Sequence, residues 1–71
     1  MAHEIAAPIA GKVVRLEIEV GIKVEEDDVA LILEAMKMET PIYVSCEGTV
    51  KEIKVKEGDM VEDGDILVIL A

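Results

Sequence analysis

Val29-Ala30-Leu31-Ile32-Leu33-Glu34-Ala35-Met36-Lys37-Met38-Glu39 is the stretch on which the fold turns. By itself it reads as a helix, because Ala, Leu, Glu, Met and Lys are good helix formers. A second stretch overrules that reading. Ile66-Leu67-Val68-Ile69-Leu70 is an apolar, β-leaning run of strand length, and it lies 37 positions beyond Val29–Leu33. The same offset superposes the rest of the chain without a gap. Ile5 falls on Ile42, Gly11 on Gly48, Val13 on Val50, Gly21 on Gly58, Val24 on Val61 and Asp28 on Asp65. An internal repeat constrains architecture more strongly than local propensity does, so 29–33 is a strand. Pro41 limits any helix running past Thr40.

Copy one is 1–34 and copy two is 38–71, which leaves only Ala35, Met36 and Lys37 outside both. Each copy predicts four short strands, near 3–7, 12–19, 22–24 and 29–33, then 40–44, 49–56, 59–61 and 66–70. Val14, Leu16 and Ile18 alternate with Arg15, Glu17 and Glu19, the period of a half-buried strand. Turn signals recur at matched places: Gly11 and Gly48, Gly21 and Gly58, Glu25–Asp28 and Glu62–Asp65. Many short strands with regular turns predict an all-β sandwich or flattened barrel, in one domain spanning 1–71. Two copies of one β-unit imply a pseudo-two-fold axis. The joint at 35–37 then becomes an exposed turn at one end, with the termini towards the other.

Composition narrows what such a domain does. The net charge is −9 with a pI near 4.3, and the seven Lys and Arg residues are scattered. A nucleic-acid backbone is repelled, and anionic lipid is disfavoured, so neither nucleic acid nor direct membrane contact is expected. The acidity serves solubility, or else offers a docking surface to basic partner sites. Tyr43 is the sole aromatic, so the core is aliphatic. Cys46 stands alone and excludes a disulfide framework; it reads as a small apolar residue at an inward or half-buried position. No apolar run is long enough to span a membrane, no signal-peptide pattern opens the chain, and the expected location is the cytoplasm. The acidic runs Glu25-Glu26-Asp27-Asp28 and Glu62-Asp63-Gly64-Asp65 lack calcium-loop spacing and occupy equivalent turns. Ser45 and Cys46 have no base nearby in sequence, and no glycine-rich phosphate loop is present. No catalytic apparatus is evident.

Lys37 is the residue the repeat leaves unexplained. An exposed turn lysine is commonplace, but its flanks are not. Met36 and Met38 stand where Asn, Gly and Asp usually win. On strand geometry both should lie opposite Lys37 or cradle its base. Methionine is adaptable and frequent at surfaces that meet more than one partner.

Glu34-Ala35-Met36-Lys37-Met38-Glu39 resembles the attachment motif of biotin carboxyl carrier domains, the biotinyl branch of the biotinyl/lipoyl family. Ala7-Pro8-Ile9-Ala10-Gly11 resembles the opening turn of that family. Gly48-Thr49-Val50 and Lys56-Glu57-Gly58-Asp59 resemble its second half, so the likeness covers nearly the whole chain. It implies a flattened barrel of two four-stranded antiparallel sheets with internal pseudo-two-fold symmetry. It implies a non-catalytic carrier whose Lys37 takes covalent biotin from a biotin protein ligase. Ala35, Met36, Met38 and Glu39 are the implied flanking recognition residues. The implied partners are that ligase, a biotin carboxylase and a carboxyltransferase. Lipoyl domains of the family typically carry an Asp-Lys-Ala style flank, so Met36 and Met38 favour biotin; a lipoyl carrier of the same fold is the first alternative and an unmodified acidic interaction module the second. The interval Gly11–Gly21 equals Gly48–Gly58, so the chain resembles carriers without a thumb-like insertion. Two positions depart from the family pattern: Asp27 stands in place of a glycine and Ile22 in place of an aspartate.

Overall fold

The computed structural model describes residues 3–71 and contains only strands and turns among them. Eight strands follow in order: β1 (His3–Ala6), β2 (Gly11–Leu16), β3 (Lys23–Val24), β4 (Val29–Ala35), β5 (Met38–Tyr43), β6 (Gly48–Ile53), β7 (Met60–Val61) and β8 (Ile66–Leu70). The helix formers of 29–35 are in a strand, as the repeat requires. Its partner run is β8, and in 29–33 and 66–70 alike three residues are buried and two half-buried. Burial on both sides of the strand outweighs a helix propensity of a few tenths of a kcal/mol per residue.

Two antiparallel four-stranded sheets result, ordered β1-β8-β6-β3 and β5-β4-β2-β7. Adding the repeat offset converts the first order into the second, so the two sheets are images of each other. The registers obey the same operation. Leu33 faces Thr40, and Leu70 faces His3. The cross-links do too: Ala7 N–H donates to Asp65 C=O at 2.8 Å, and Val44 N–H to Asp28 C=O at 2.7 Å. Each sheet takes two strands from each copy, so neither copy completes a sheet alone.

The expected strand at 12–19 differs in two respects. β2 carries a bulge at Val14, and copy two repeats it at Lys51. An extra residue shifts the alternation by one. Val13 is therefore fully buried and Val14 is 38% exposed, whereas Leu16 and Ile18 still face inward. Strict alternation through 14, 16 and 18 does not hold. The regular strand ends at Leu16, although Glu17 N–H still reaches Ala30 C=O at 2.9 Å.

The core is wholly aliphatic. Leu31, Leu33, Leu67 and Leu70 are fully buried with Val13, Val24, Val44, Val50 and Val68, and the described residues include no buried polar side chain. Each such side chain contributes about 1.5–3 kcal/mol of transfer free energy. The acidic runs form turns. Asp28 Oδ2 accepts from Glu25 N–H at 2.9 Å, and Asp65 Oδ2 accepts from Glu62 N–H at the same distance. Between them in each run stands a left-handed residue, Asp27 at φ 75° and Gly64 at φ 93°. The glycine that copy one lacks is thus replaced by a residue that tolerates this region better than most.

Candidate functional site

β4 and β5 form the hairpin that joins the two copies. Ala35 pairs with Met38, so the connecting loop is two residues, Met36 and Lys37. Both have positive φ, 54° and 65°, which is the signature of a type I′ turn. That turn matches the twist of the strands but favours Asn-Gly. A Cβ in the left-handed region costs about 1–2 kcal/mol per residue. The loop therefore carries two side chains against local preference.

Ala35 points inward and is 8% exposed, which anchors the β4 end of the hairpin. Lys37 is exposed and makes no salt bridge among the described residues. Met36 is 88% exposed and Met38 70%. The strand argument for the methionines fails, because Met36 and Lys37 belong to the turn and only Met38 is in a strand. Neither methionine packs into the core. Glu34 and Glu39 face each other directly across the ladder, both exposed. Like charges so placed are mildly destabilising, so the pair is another local cost concentrated beside Lys37.

Gly11 sets how closely β2 approaches this hairpin. A Cβ there would lie 2.6 Å from the Glu34 carbonyl oxygen, and backbone cannot yield cheaply. Beside that contact runs an open groove with Ala10, Gly11, Ala35, Met36, Met60 and Val61 on its surface. Met38 is not among its lining residues. Met60 is 74% exposed and was invisible to motif reading, since it lies in β7, far from Lys37 in sequence. The repeat held a signal for it: the matching residue of copy one is Lys23, a charged side chain. A second open pocket is lined by Glu25, Glu26, Ser45, Cys46 and Glu47. Cys46 is half-buried against the core, as expected for a small apolar filler. The described residues contain no group of three His, Cys, Asp or Glu placed to hold a metal ion.

The domain is thus a sandwich of two symmetric sheets with an exposed lysine at the joining turn. Residues 3–70 match the family of biotin/lipoyl domains described as "Biotin-requiring enzyme", and the chain belongs to that family. It is 40% identical over 67 residues to the biotin/lipoyl attachment protein of Bacillus subtilis, covering 94% of this chain and 92% of that one. It is 42% identical over 64 residues to pyruvate carboxylase of the same organism, covering 90% of this chain but 6% of the enzyme. The structure superposes on Kluyveromyces lactis urea carboxylase with a TM-score of 0.94 and 34% identity, over 100% of this chain and 6% of the carboxylase. The likeness is thus to a small attachment protein and to a short portion of each of two large carboxylases. No helix among the described residues is long and apolar enough to cross a membrane.

Proposed function

We propose that the chain is a biotin carboxyl carrier and that Lys37 is its attachment residue. The observation that carries this reading is the apex of the β4–β5 turn. There a lysine occupies a left-handed position that local energetics would give to glycine. Met36 beside it is left-handed too, and strain kept at an exposed turn points to function at that turn. Residues Ala35, Met36, Met38 and Glu39 serve the recognition of the turn by its partners.

The site fits the group. An exposed, unpaired ε-amine is available to form an amide with the biotin carboxyl group once a biotin protein ligase has activated that carboxyl with ATP, the nucleotide monophosphate leaving and the amine losing a proton. When bound, biotin supplies the carboxyl-accepting ureido nitrogen. The chain's own residues supply position: Ala35 and Gly11 hold the hairpin, and the exposed turn presents Lys37 to a biotin carboxylase and then to a carboxyltransferase. Tethering raises the local concentration of the arm at each. The single domain spans 1–71 and works in the cytoplasm. The methionine flanks favour biotin over a lipoyl group.

Intact mass after co-expression with a biotin ligase, and separately with a lipoyl ligase, tests the reading. The wild type gains one biotinyl group with the first enzyme and nothing with the second. Lys37→Arg keeps the charge and the fold but gains nothing. A lipoyl mass, or biotin on Lys12, Lys23, Lys51, Lys54 or Lys56, would overturn it.

A further inference from the structure

The groove beside the hairpin has a chemistry of its own. Part of its lining is apolar, from Met36, Met60, Ala10, Ala35 and Val61. Three carboxylates, Glu34, Glu62 and Asp65, complete the lining, and no basic residue lines it. One of these is partly committed, since Asp65 Oδ2 closes the turn by accepting the Glu62 N–H. Glu34 and Glu62 are exposed and accept hydrogen bonds but donate none. Met36, the residue before Lys37 in the same turn, belongs to the lining.

A neutral, compact ring that is apolar on its body and donates N–H groups at one edge fits this lining. From it we infer that the groove is a resting site, in cis, for the ureido ring carried on Lys37, with Met60 as its outer wall. This rests on the biotin-carrier reading. The hydrocarbon and thioether face of the ring lies against Met36, Met60 and Val61. Its two N–H groups donate to the carboxylates of Glu34 and Glu62, bonds strengthened by the acceptor charge. Sulfur and methyl contacts of methionine suit a ring with a thioether. The tether makes the encounter intramolecular, so a shallow groove suffices. A dithiolane ring has no N–H donor and would leave the carboxylates without a partner. Met60 is the residue on which this site depends: the copy-one groove position is Lys23, whose ammonium would pair with the carboxylates and displace a neutral ring.

The test uses the full chain, unmodified and fully biotinylated, with loading fixed by intact mass. Amide and methyl NMR spectra are compared between the two. The expected result is a shift on biotinylation at the Met60 methyl, Ala10 and Val61, with contacts from ring protons to the Met60 methyl. In Met60→Lys, which copies the repeat and should fold, the shifts at Ala10 and Val61 are lost while loading stays complete. Changes confined to residues 35–39 in fully loaded wild type overturn the resting site and leave the carrier reading intact. Equal shifts at Ala10 and Val61 in Met60→Lys also overturn it. Failure of the ligase to add any mass overturns the carrier reading, and this site with it.

Discussion

At the scale of the residue, Met36 and Lys37 stand out because each violates a local rule in the same place. Both occupy the left-handed region, and two glutamates confront each other one pair below them. Nothing in the core requires this, since Met36 and Lys37 are exposed. Replacing the pair by Asn-Gly gives the turn the residues its geometry prefers. The double variant Met36→Asn/Lys37→Gly should be more stable by about 1–2 kcal/mol. In a domain of this size that is roughly 4–8 °C in Tm for each kcal/mol. It should also lose all ligase-dependent mass gain. A thermal melt and an intact mass on the same sample decide the matter; an unchanged or lower Tm would show that the turn is not strained.

At the scale of the element, the informative comparison is between matched turns of the two copies. In copy two, Asp59 Oδ2 accepts from Lys56 N–H at 3.0 Å, and Asp59 N–H returns to Lys56 C=O at 3.0 Å. In copy one the same turn has Ile22. Its N–H reaches Glu19 C=O at only 3.4 Å, and it has no side-chain acceptor to offer the Glu19 N–H. Ile22 is 39% exposed, so it contributes less burial than a core residue would. Ile22→Asp should therefore restore the missing bond and stabilise the protein by about 1 kcal/mol. The gain should appear as a raised denaturant midpoint with an unchanged m-value. A lowered midpoint would mean that Ile22 covers more apolar surface than its exposure suggests, or that a further negative charge on a chain at −9 costs more than the bond gains.

At the scale of the whole molecule, the two copies are interleaved. β1 and β3 of copy one share a sheet with β6 and β8 of copy two, and the other sheet is the reverse. Leu33 of β4 and Leu70 of β8, matched by the repeat, sit in one core of residues drawn from both halves. Neither half has a complete sheet or a core of its own, so loop closure between distant strands must precede the gain from burial. Peptides 1–37 and 38–71 should each be unstructured by circular dichroism at concentrations where the intact chain is fully folded. A half that melts cooperatively by itself would show that the repeat unit is an independent folding unit.

The amino-acid sequence by itself determined the strand identity of 29–33, the eight-strand count, the pseudo-two-fold and the joint at Lys37. All of these follow from one offset, because residues matched by a repeat must satisfy the same packing. The family followed from the residues around that joint. Three things were decided only in the tertiary structure. The bulge at Val14 inverts which neighbour faces inward, and it depends on the register with β4 rather than on composition. The left-handed turn at Met36 and Lys37 is imposed by strand twist and by the Ala35–Met38 pairing, against the preferences of the residues concerned. Met60 joins the groove beside Lys37 because β7 pairs with β2 directly beneath the hairpin, at Lys12 and Gly11. Pairing between distant strands is a property of the closed barrel, and no local pattern in the chain encodes it.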